Sequence, residues 1–347
     1  MPDAGIGPRL ARAADVLTRD MMCIEAGESV LITTDTATDV VGVRAIQDAA
    51  YRLGAKVASI TLAPPVPYQG GLADEYLPDH VKAATGACDV WIDLCMPYLA
   101  GSGAFDEAME RARARYFLGA DIGAEEIVRL MGGADLDGLF QLGDAFGELL
   151  AQSAGKECRI TNAHGTDVSF TLGKPEGFAF ARATKPGGYF VPGTVMMLPE
   201  MESVVGSVVT SNMFHEYYTE LAEPMTLKID GKVREVIGGG PENKVMRRAL
   251  TRAGNGEFGY VVHFTCGFHP AARYTGKCFI EDQRVAGYNA IGLGLPFWVP
   301  GGGENHPDCV ISMQSMWIEG QQILEDGVIV APEPLATMAE QLRPIYG

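Results

Sequence analysis

The segment His306-Pro307-Asp308 places an imidazole and a carboxylate two residues apart near the C-terminal end of the chain. In an extended segment, residues i and i+2 point to the same side, so both groups can bind one metal ion. Pro307 favours extended backbone, and the Gly-rich segment 299–305 lets the preceding chain approach a site closely. The spacing therefore predicts two ligands of a metal site.

A third ligand has to come from elsewhere among the six histidines of the chain. His263 is the best candidate, because it interrupts or ends the apolar run Tyr260-Val-Val262, which is typical of a buried strand. A histidine in such a strand needs a polar partner, and a metal ion would supply one.

Two neutral imidazoles and one carboxylate form the facial triad of non-haem Fe(II) oxygenases, which leaves positions open for substrate and oxygen. The same three groups can hold Zn²⁺ and activate water, as in metallohydrolases. At this point the residues alone leave both chemistries open.

Composition restricts the class of protein. The net charge of −17 is the wrong sign for binding a phosphate backbone, so we expect no nucleic-acid partner. The N-terminal residues show no signal-peptide pattern, and the longest apolar stretch, 286–300, is too short and Gly-rich to span a membrane. Seven cysteines without a CxxC pair suit a reducing compartment, which predicts a cytoplasmic protein without membrane contact.

The elements that must position the candidate ligands differ between the two halves. Residues 1–150 alternate helices with near-continuous apolar strands such as Ser29–Thr34 and Lys56–Leu62, which predicts an α/β domain with a parallel sheet. Residues 151–347 show alternating strands, a turn at Pro186-Gly-Gly188 and strands near 206–210 and 225–230. We predict a mainly β, metal-binding catalytic domain there.

A resemblance to a known family extends over most of the chain. It is carried by these segments: Gly165-Thr-Asp167, Leu198-Pro-Glu-Met-Glu-Ser-Val-Val-Gly206, His263-Phe-Thr-Cys-Gly-Phe-His-Pro270 and His306-Pro-Asp308. In the order and residue composition of these segments, the sequence resembles the 2,5-dihydroxypyridine 5,6-dioxygenases. These enzymes share the scaffold of the M29 (aminopeptidase T-like) metallopeptidases. The resemblance implies an M29 aminopeptidase-like fold.

The resemblance also implies how many metal ions bind. M29 peptidases hold two ions and need glutamate and histidine ligands at positions where this chain has Val195, His263 and Asn289. Such changes leave one ion, and His263, His306 and Asp308 match the iron ligands of the dioxygenase. The resemblance thus favours a dioxygenase over a peptidase.

By this resemblance, the reaction is an extradiol-type cleavage of a hydroxylated N-heteroaromatic ring with O₂ and Fe(II). Arg284 matches an arginine that holds the anionic substrate, and Glu176 stands near the acid/base glutamate of the family. Tyr98 and Tyr189 fall where the family has histidines, and we predict that both contact the substrate.

Two alternatives remain. The first is an M29-type aminopeptidase or amidohydrolase with Zn²⁺, Mn²⁺ or Co²⁺, and the second is a non-catalytic binding protein that retains the fold. The resemblance further implies a homo-oligomer, since relatives enclose their active sites with neighbouring subunits.

Overall fold

The structure is a computed structural model that describes residues 6–63, 69–174, 181–215, 217–295 and 307–346. The chain forms two compact units. Unit 1 comprises Met1–Phe140, Phe178–Pro192 and Arg343–Gly347, and unit 2 comprises Gln141–Gly177 and Gly193–Leu342. The predicted boundary at residue 150 assigns 178–192 to the second domain, whereas unit 1 contains these residues; the boundary between folding domains stays a prediction.

The strands follow one another along both units. They are β1 (Ser29–Asp35), β2 (Lys56–Leu62), β3 (Val90–Asp93), β4 (Arg115–Leu118), β5 (Glu157–Thr161), β6 (Asp167–Thr171), β7 (Gly187–Phe190), β8 (Thr194–Met197), β9 (Val205–Phe214), β10 (Tyr218–Asp230), β11 (Lys232–Gly238), β12 (Tyr260–Gly267), β13 (Asn289–Gly294), β14 (Asp308–Ile311), β15 (Ser315–Ile318), β16 (Gln321–Glu325) and β17 (Val328–Ile329).

The helices are concentrated in the first half. They are α1 (Ile6–Asp15), continued by a π-helical segment (Val16–Met21), α2 (Val40–Arg52), α3 (Asp79–Thr85), α4 (Gly103–Glu110), α5 (Ala124–Leu130), α6 (Leu136–Gln152), α7 (Glu242–Ala253), α8 (Phe279–Asp282) and α9 (Glu333–Gln341). Among the described helices, none has the length and apolar character that crossing a bilayer requires.

Unit 1 contains a five-stranded sheet in the order β2-β1-β3-β4-β7, in which every neighbouring pair is parallel. All four residues of β3 are buried, as are six of the seven in β1. Burial on both faces explains the near-continuous apolar runs of these strands. The predicted parallel α/β architecture of the first part is therefore confirmed.

The segment that contains Pro186-Gly-Gly188 differs from its sequence-based prediction. A Gly-rich turn was expected, but Gly187–Phe190 forms β7 and pairs in parallel with β4. Glycine has a low intrinsic strand preference, so tertiary pairing with β4 overrides the local signal.

Unit 2 contains an antiparallel ring of six strands. Hydrogen-bonded pairs join β9 to β10, β10 to β11, β11 to β12, β12 to β13, β13 to β14, and β14 back to β9. From β9 the sheet continues through β6, β5, β15, β16 and β17, and β8 pairs with β12. The predicted mainly β character of the second part is confirmed, whereas no local pattern predicted the closure of the ring.

Strands β9 and β10 are longer than the predicted segments 206–210 and 225–230. The register between them shifts between Glu220 and Met225, in the stretch that contains Pro224. Such an irregularity lets a strand continue past a proline, which cannot donate to a regular ladder. The extension matters because the C-terminal end of β9 pairs with β14.

Candidate metal centre and active site

The two predicted ligands within the described residues lie on strands of the ring. His263 belongs to β12 and Asp308 begins β14, and their side chains are buried. Neither strand pairs with the other, because β13 lies between them. The arrangement of three neighbouring strands therefore decides whether the imidazole and the carboxylate can meet.

A glycine on the middle strand allows that meeting. His263 is opposite Gly292, and Gly292 is opposite Asp308. Directly opposed residues of an antiparallel pair point to the same face, and glycine places no side chain between the two neighbours. The Nε2 atom of His263 lies 3.3 Å from the Oδ1 atom of Asp308.

This separation fits two donors that share one cation. Two ligands at about 2.1 Å from an ion, at roughly a right angle, lie about 3 Å apart. Among the residues that the structure describes, no group of three histidine, cysteine or acidic side chains is placed to hold a metal. His306, the third predicted ligand, lies outside those residues.

Aromatic side chains pack beside the carboxylate. Phe214 of β9 is opposite Asp308 and stacks on Phe279 with ring centroids 4.7 Å apart. Tyr218, opposite Phe214 on β10, contacts the same Phe279 ring at 5.7 Å between centroids. Phe214 thus places apolar surface beside the buried carboxylate, and low local polarity strengthens electrostatic interactions there.

A buried aspartate fixes the segment that carries Phe279. The Oδ1 atom of Asp282 accepts hydrogen bonds from the backbone N–H and the hydroxyl of Thr275, at 2.8 and 3.1 Å. Its Oδ2 atom accepts from the backbone N–H of Gly276 and the hydroxyl of Tyr218, each at 2.8 Å. Burial raises the pKa of this carboxyl group, an effect that the four donors partly oppose.

Comparison with known proteins identifies the family. A model of the 2,5-dihydroxypyridine 5,6-dioxygenase family matches residues 15–331. The chain belongs to this family. It is therefore an enzyme of a family of ring-cleaving dioxygenases, for which a metal cofactor, a small-molecule substrate and O₂ are implied. No curated protein sequence gives a significant match.

Two solved structures share the fold of this dioxygenase-family chain. 2,5-Dihydroxypyridine dioxygenase from Pseudomonas putida KT2440 is 20% identical, with a TM-score of 0.73 over 94% of this chain and 98% of the other. AmpT from Thermus thermophilus, an M29 aminopeptidase, is 16% identical, with a TM-score of 0.60 over 93% and 99%. The predicted M29 aminopeptidase-like fold is confirmed.

Val195 and Asn289 occupy positions that were compared with metal ligands of the M29 peptidases, and in this chain both side chains have structural contacts. Val195 is buried in β8 opposite Cys266, and a valine side chain offers no ligand atom. The Oδ1 atom of Asn289 accepts from the N–H of Thr265, and its Nδ2 atom donates to Gln314, both at 2.8 Å. The amide of Asn289 thus stabilises the packing of β12 and β13.

Arg284, the predicted substrate-binding cation, follows α8 and is 1% exposed. One guanidinium nitrogen donates to the backbone oxygen of Ile280 at 2.6 Å, and the backbone oxygen of Arg284 accepts from His269. These contacts fix the side chain within unit 2, the unit that contains His263 and Asp308.

The two predicted substrate-binding tyrosines belong to unit 1. Tyr98 is half-buried in the segment after β3, where Asp93 accepts hydrogen bonds from the N–H groups of Cys95 and Leu99. Tyr189 is on β7, and its hydroxyl donates to the backbone oxygen of Lys185 at 2.7 Å. Glu176, the predicted acid/base residue, lies outside the described residues.

Sequence reasoning missed a polar group on the same face of the ring. Asn212 is two residues before Phe214 on β9, and its Oδ1 atom accepts a hydrogen bond of 2.8 Å from the hydroxyl of Tyr274. The strand also contains Ser207, Thr210 and Ser211, so Asn212 gave no distinct signal in the sequence.

Proposed function

We propose that the protein is a mononuclear non-haem Fe(II) dioxygenase that cleaves a hydroxylated N-heteroaromatic ring of the dihydroxypyridine type with O₂. The observation that carries this proposal is the pairing of His263 and Asp308 at 3.3 Å across Gly292, in a chain of this dioxygenase family. His306, two residues before Asp308, supplies the third ligand.

The ligand set supports one iron ion. Two imidazoles and a carboxylate occupy one face of an ion and leave the other positions open. The buried Val195 and the hydrogen-bonded Asn289 support the absence of a second ion. When bound, Fe(II) supplies the one-electron chemistry that allows O₂ to react with a closed-shell aromatic ring.

The residues of the chain bind the ring, exclude water and move protons. Arg284 presents a planar guanidinium that suits an anionic ring oxygen or carboxylate. Phe214 lies opposite Asp308 and stacks on Phe279, which places apolar surface beside the proposed metal site. Glu176 exchanges a proton with the ring, and Tyr98 and Tyr189 contribute to the substrate pocket.

Oxygen consumption by anaerobically purified, Fe(II)-reconstituted protein tests the proposal. Dihydroxypyridines and catechols are supplied as substrates, and the metal content is determined on the same sample. We expect about one iron per chain, as for a single facial triad, and consumption of one O₂ for each ring cleaved. Iron binding without oxygen uptake on any hydroxylated ring contradicts the proposal.

The same experiment separates the hydrolase alternative. Protein that holds zinc or two metal ions and hydrolyses an amide under strict anaerobiosis is an M29-type hydrolase. Reconstitution with Zn²⁺, Mn²⁺ or Co²⁺ is the matched control, since these ions should support no oxygen uptake if iron carries the reaction.

We infer that the protein is a cytoplasmic homo-oligomer. All seven cysteines are free thiols, which supports a reducing compartment. The edge strand β2 is largely exposed, and open strand edges favour pairing with another chain. Light scattering tests the oligomer, and a monomer at micromolar concentration removes it.

A further inference from the structure

Asn212 lies next to the metal centre on the same face of the ring. Asp308 is opposite Phe214, and Val310 is opposite Asn212. Because alternate residues of a strand share a face, Asn212 is the diagonal neighbour of Asp308, at about 7–8 Å in such a pair. One aromatic ring with its substituents can bridge this distance.

Asn212 is 3% exposed, and among the described residues only the oxygen of its side-chain amide has a hydrogen-bond partner. The hydroxyl of Tyr274 donates to Oδ1 at 2.8 Å and fixes the orientation of the amide. The Nδ2 atom has no hydrogen-bond acceptor among the residues that the structure describes. Buried polar atoms without partners are rare, and at a functional site they indicate a ligand atom.

Three polar atoms lie around the space that Gly276 leaves by lacking a side chain, a space called the recess below. A β-carbon built on this glycine would lie 3.5 Å from the hydroxyl of Tyr274, 3.6 Å from the Oε2 atom of Glu220 and 3.8 Å from the Nδ2 atom of Asn212. The hydrogen bond from Gly276 N–H to Asp282 holds the glycine there. The recess therefore presents one N–H donor and one carboxylate acceptor side by side.

Glu220 is opposite Asn212 on β10 and is exposed, so a ligand can reach its carboxylate. The Tyr274 hydroxyl lies 3.3 Å from the Oε1 atom of Glu220, which leaves Oε2 directed at the recess. Burial raises the pKa of Tyr274 to about 12, so its hydroxyl stays a donor at neutral pH.

A donor beside an acceptor matches the edge of a 2-pyridone, the lactam form of a 2-hydroxypyridine. That edge carries a ring N–H next to a C=O. We propose that Asn212 and Glu220 recognise this lactam edge: Nδ2 of Asn212 donates to the carbonyl oxygen, and Oε2 of Glu220 accepts from the ring N–H. This specificity rests on the proposed dioxygenase function, and it distinguishes pyridones from benzene diols.

Anaerobic binding to the Fe(II)-loaded protein, measured by calorimetry, tests the inference without turnover. The probes are 2,5-dihydroxypyridine and hydroquinone, which keeps two para oxygens but has no lactam edge. We expect the wild type to prefer the pyridine. Asn212→Ala should lose about 3- to 10-fold in affinity for it, and Glu220→Ala about 10- to 100-fold, as for neutral and charged hydrogen bonds.

Matched variants separate recognition from structure. Ser211→Ala, the exposed neighbour on the opposite face of β9, and Glu223→Ala, an exposed glutamate of β10, should keep the wild-type preference. Iron content should be unchanged in Asn212→Ala and Glu220→Ala, and hydroquinone affinity should be unchanged in Glu220→Ala, because hydroquinone has no ring N–H to donate to Glu220. If Asn212→Ala does not fold, Tyr274→Phe tests the same donor, because it releases the amide; about a 3-fold loss for the pyridine is expected.

Each outcome decides between the two proposals. Wild-type preference retained in both Asn212→Ala and Glu220→Ala overturns the lactam recognition and leaves the dioxygenase function intact. A wild type that binds hydroquinone as tightly as the pyridine has the same consequence. A wild type that binds neither ring and consumes no oxygen with them overturns both proposals.

Discussion

Two buried aspartates at strand ends, one in each unit, have opposite surroundings. Asp93 ends β3 in unit 1 and accepts hydrogen bonds from the hydroxyls of Thr33 and Tyr116, both at 2.8 Å, and from two backbone N–H groups. Asp308 begins β14 in unit 2 and faces the Nε2 atom of His263 at 3.3 Å. Both carboxylates are buried, and the second faces an imidazole, the commonest metal-binding side chain.

The groups that face a buried carboxylate separate a structural role from that of a candidate metal ligand. Four donors surround Asp93, and four surround Asp282, so each fixes a loop through backbone N–H groups. A neutral imidazole has a nitrogen lone pair, so a carboxylate that faces it can share a cation with it. Burial alone therefore does not identify the metal site.

The largest expected effect concerns the ligands themselves. His263→Ala, His306→Ala and Asp308→Ala should each weaken metal binding by more than about 100-fold, because even partners outside the coordination sphere contribute 10- to 100-fold. Iron content and oxygen uptake after anaerobic reconstitution measure the loss. Asp93→Asn is the control and should keep its iron. A variant with full iron content removes that residue from the ligand set.

The next largest effect is on stability and comes from replacing Asp93, the aspartate of unit 1. Asp93→Ala leaves two backbone N–H groups and two hydroxyls without their acceptor, so the free energy of unfolding should fall by about 3 kcal/mol. Urea unfolding measures the change. Asp167→Ala, which removes an exposed ion pair with Arg159, should cost less than about 1 kcal/mol. Equal effects of the two substitutions would show that Asp93 is not a structural anchor.

Arg284 tests whether the positive charge that binds the substrate lies in unit 2, the unit that contains His263 and Asp308. Arg284→Ala should spare the iron and weaken binding of an anionic ring by about 10- to 100-fold, the range of a charged hydrogen bond. Steady-state kinetics and iron content are measured together. Arg159→Ala, an exposed arginine of β5, should leave both unchanged. Unchanged KM and kcat in Arg284→Ala would exclude a role in substrate binding.

The smallest effect is a pH dependence. Burial raises the pKa of the Asp93 carboxyl in the folded protein. The folded state therefore binds a proton more tightly than the unfolded state. The resulting stability is present below the ordinary carboxyl pKa of about 3.9 and is lost as pH rises through the raised pKa. The unfolding free energy of the wild type minus that of Asp93→Asn should thus decrease as pH rises. An increase would show that folding lowers the pKa of Asp93.

Local patterns were sufficient for most elements. The strands at Ser29–Asp35 and Lys56–Leu62 follow the predicted segments, because the apolar pattern that predicts a strand lies in neighbouring residues. The strand of His263 was predicted from its apolar run. Where prediction differed, as at β7, a distant partner decided the conformation.

The sequence predicted which residues could bind a metal, but it did not predict which other residues surround them in the fold. His263, His306 and Asp308 were selected from spacing and resemblance, and the structure brings His263 and Asp308 together. Asn212, Tyr274 and Glu220 were missed, because they come from three separate segments and meet only through strand pairing and the loop fixed by Asp282.

Local sequence patterns predicted the alternation of helices and parallel strands in the first part, the β-rich second part and the candidate metal ligands His263, His306 and Asp308. The closure of β9 to β14 into a ring is visible only in the tertiary structure, as is the position of Gly292 between His263 and Asp308, where it lets their side chains meet. The physical reason is that strand propensity is local, whereas register depends on which faces are buried across distant strands.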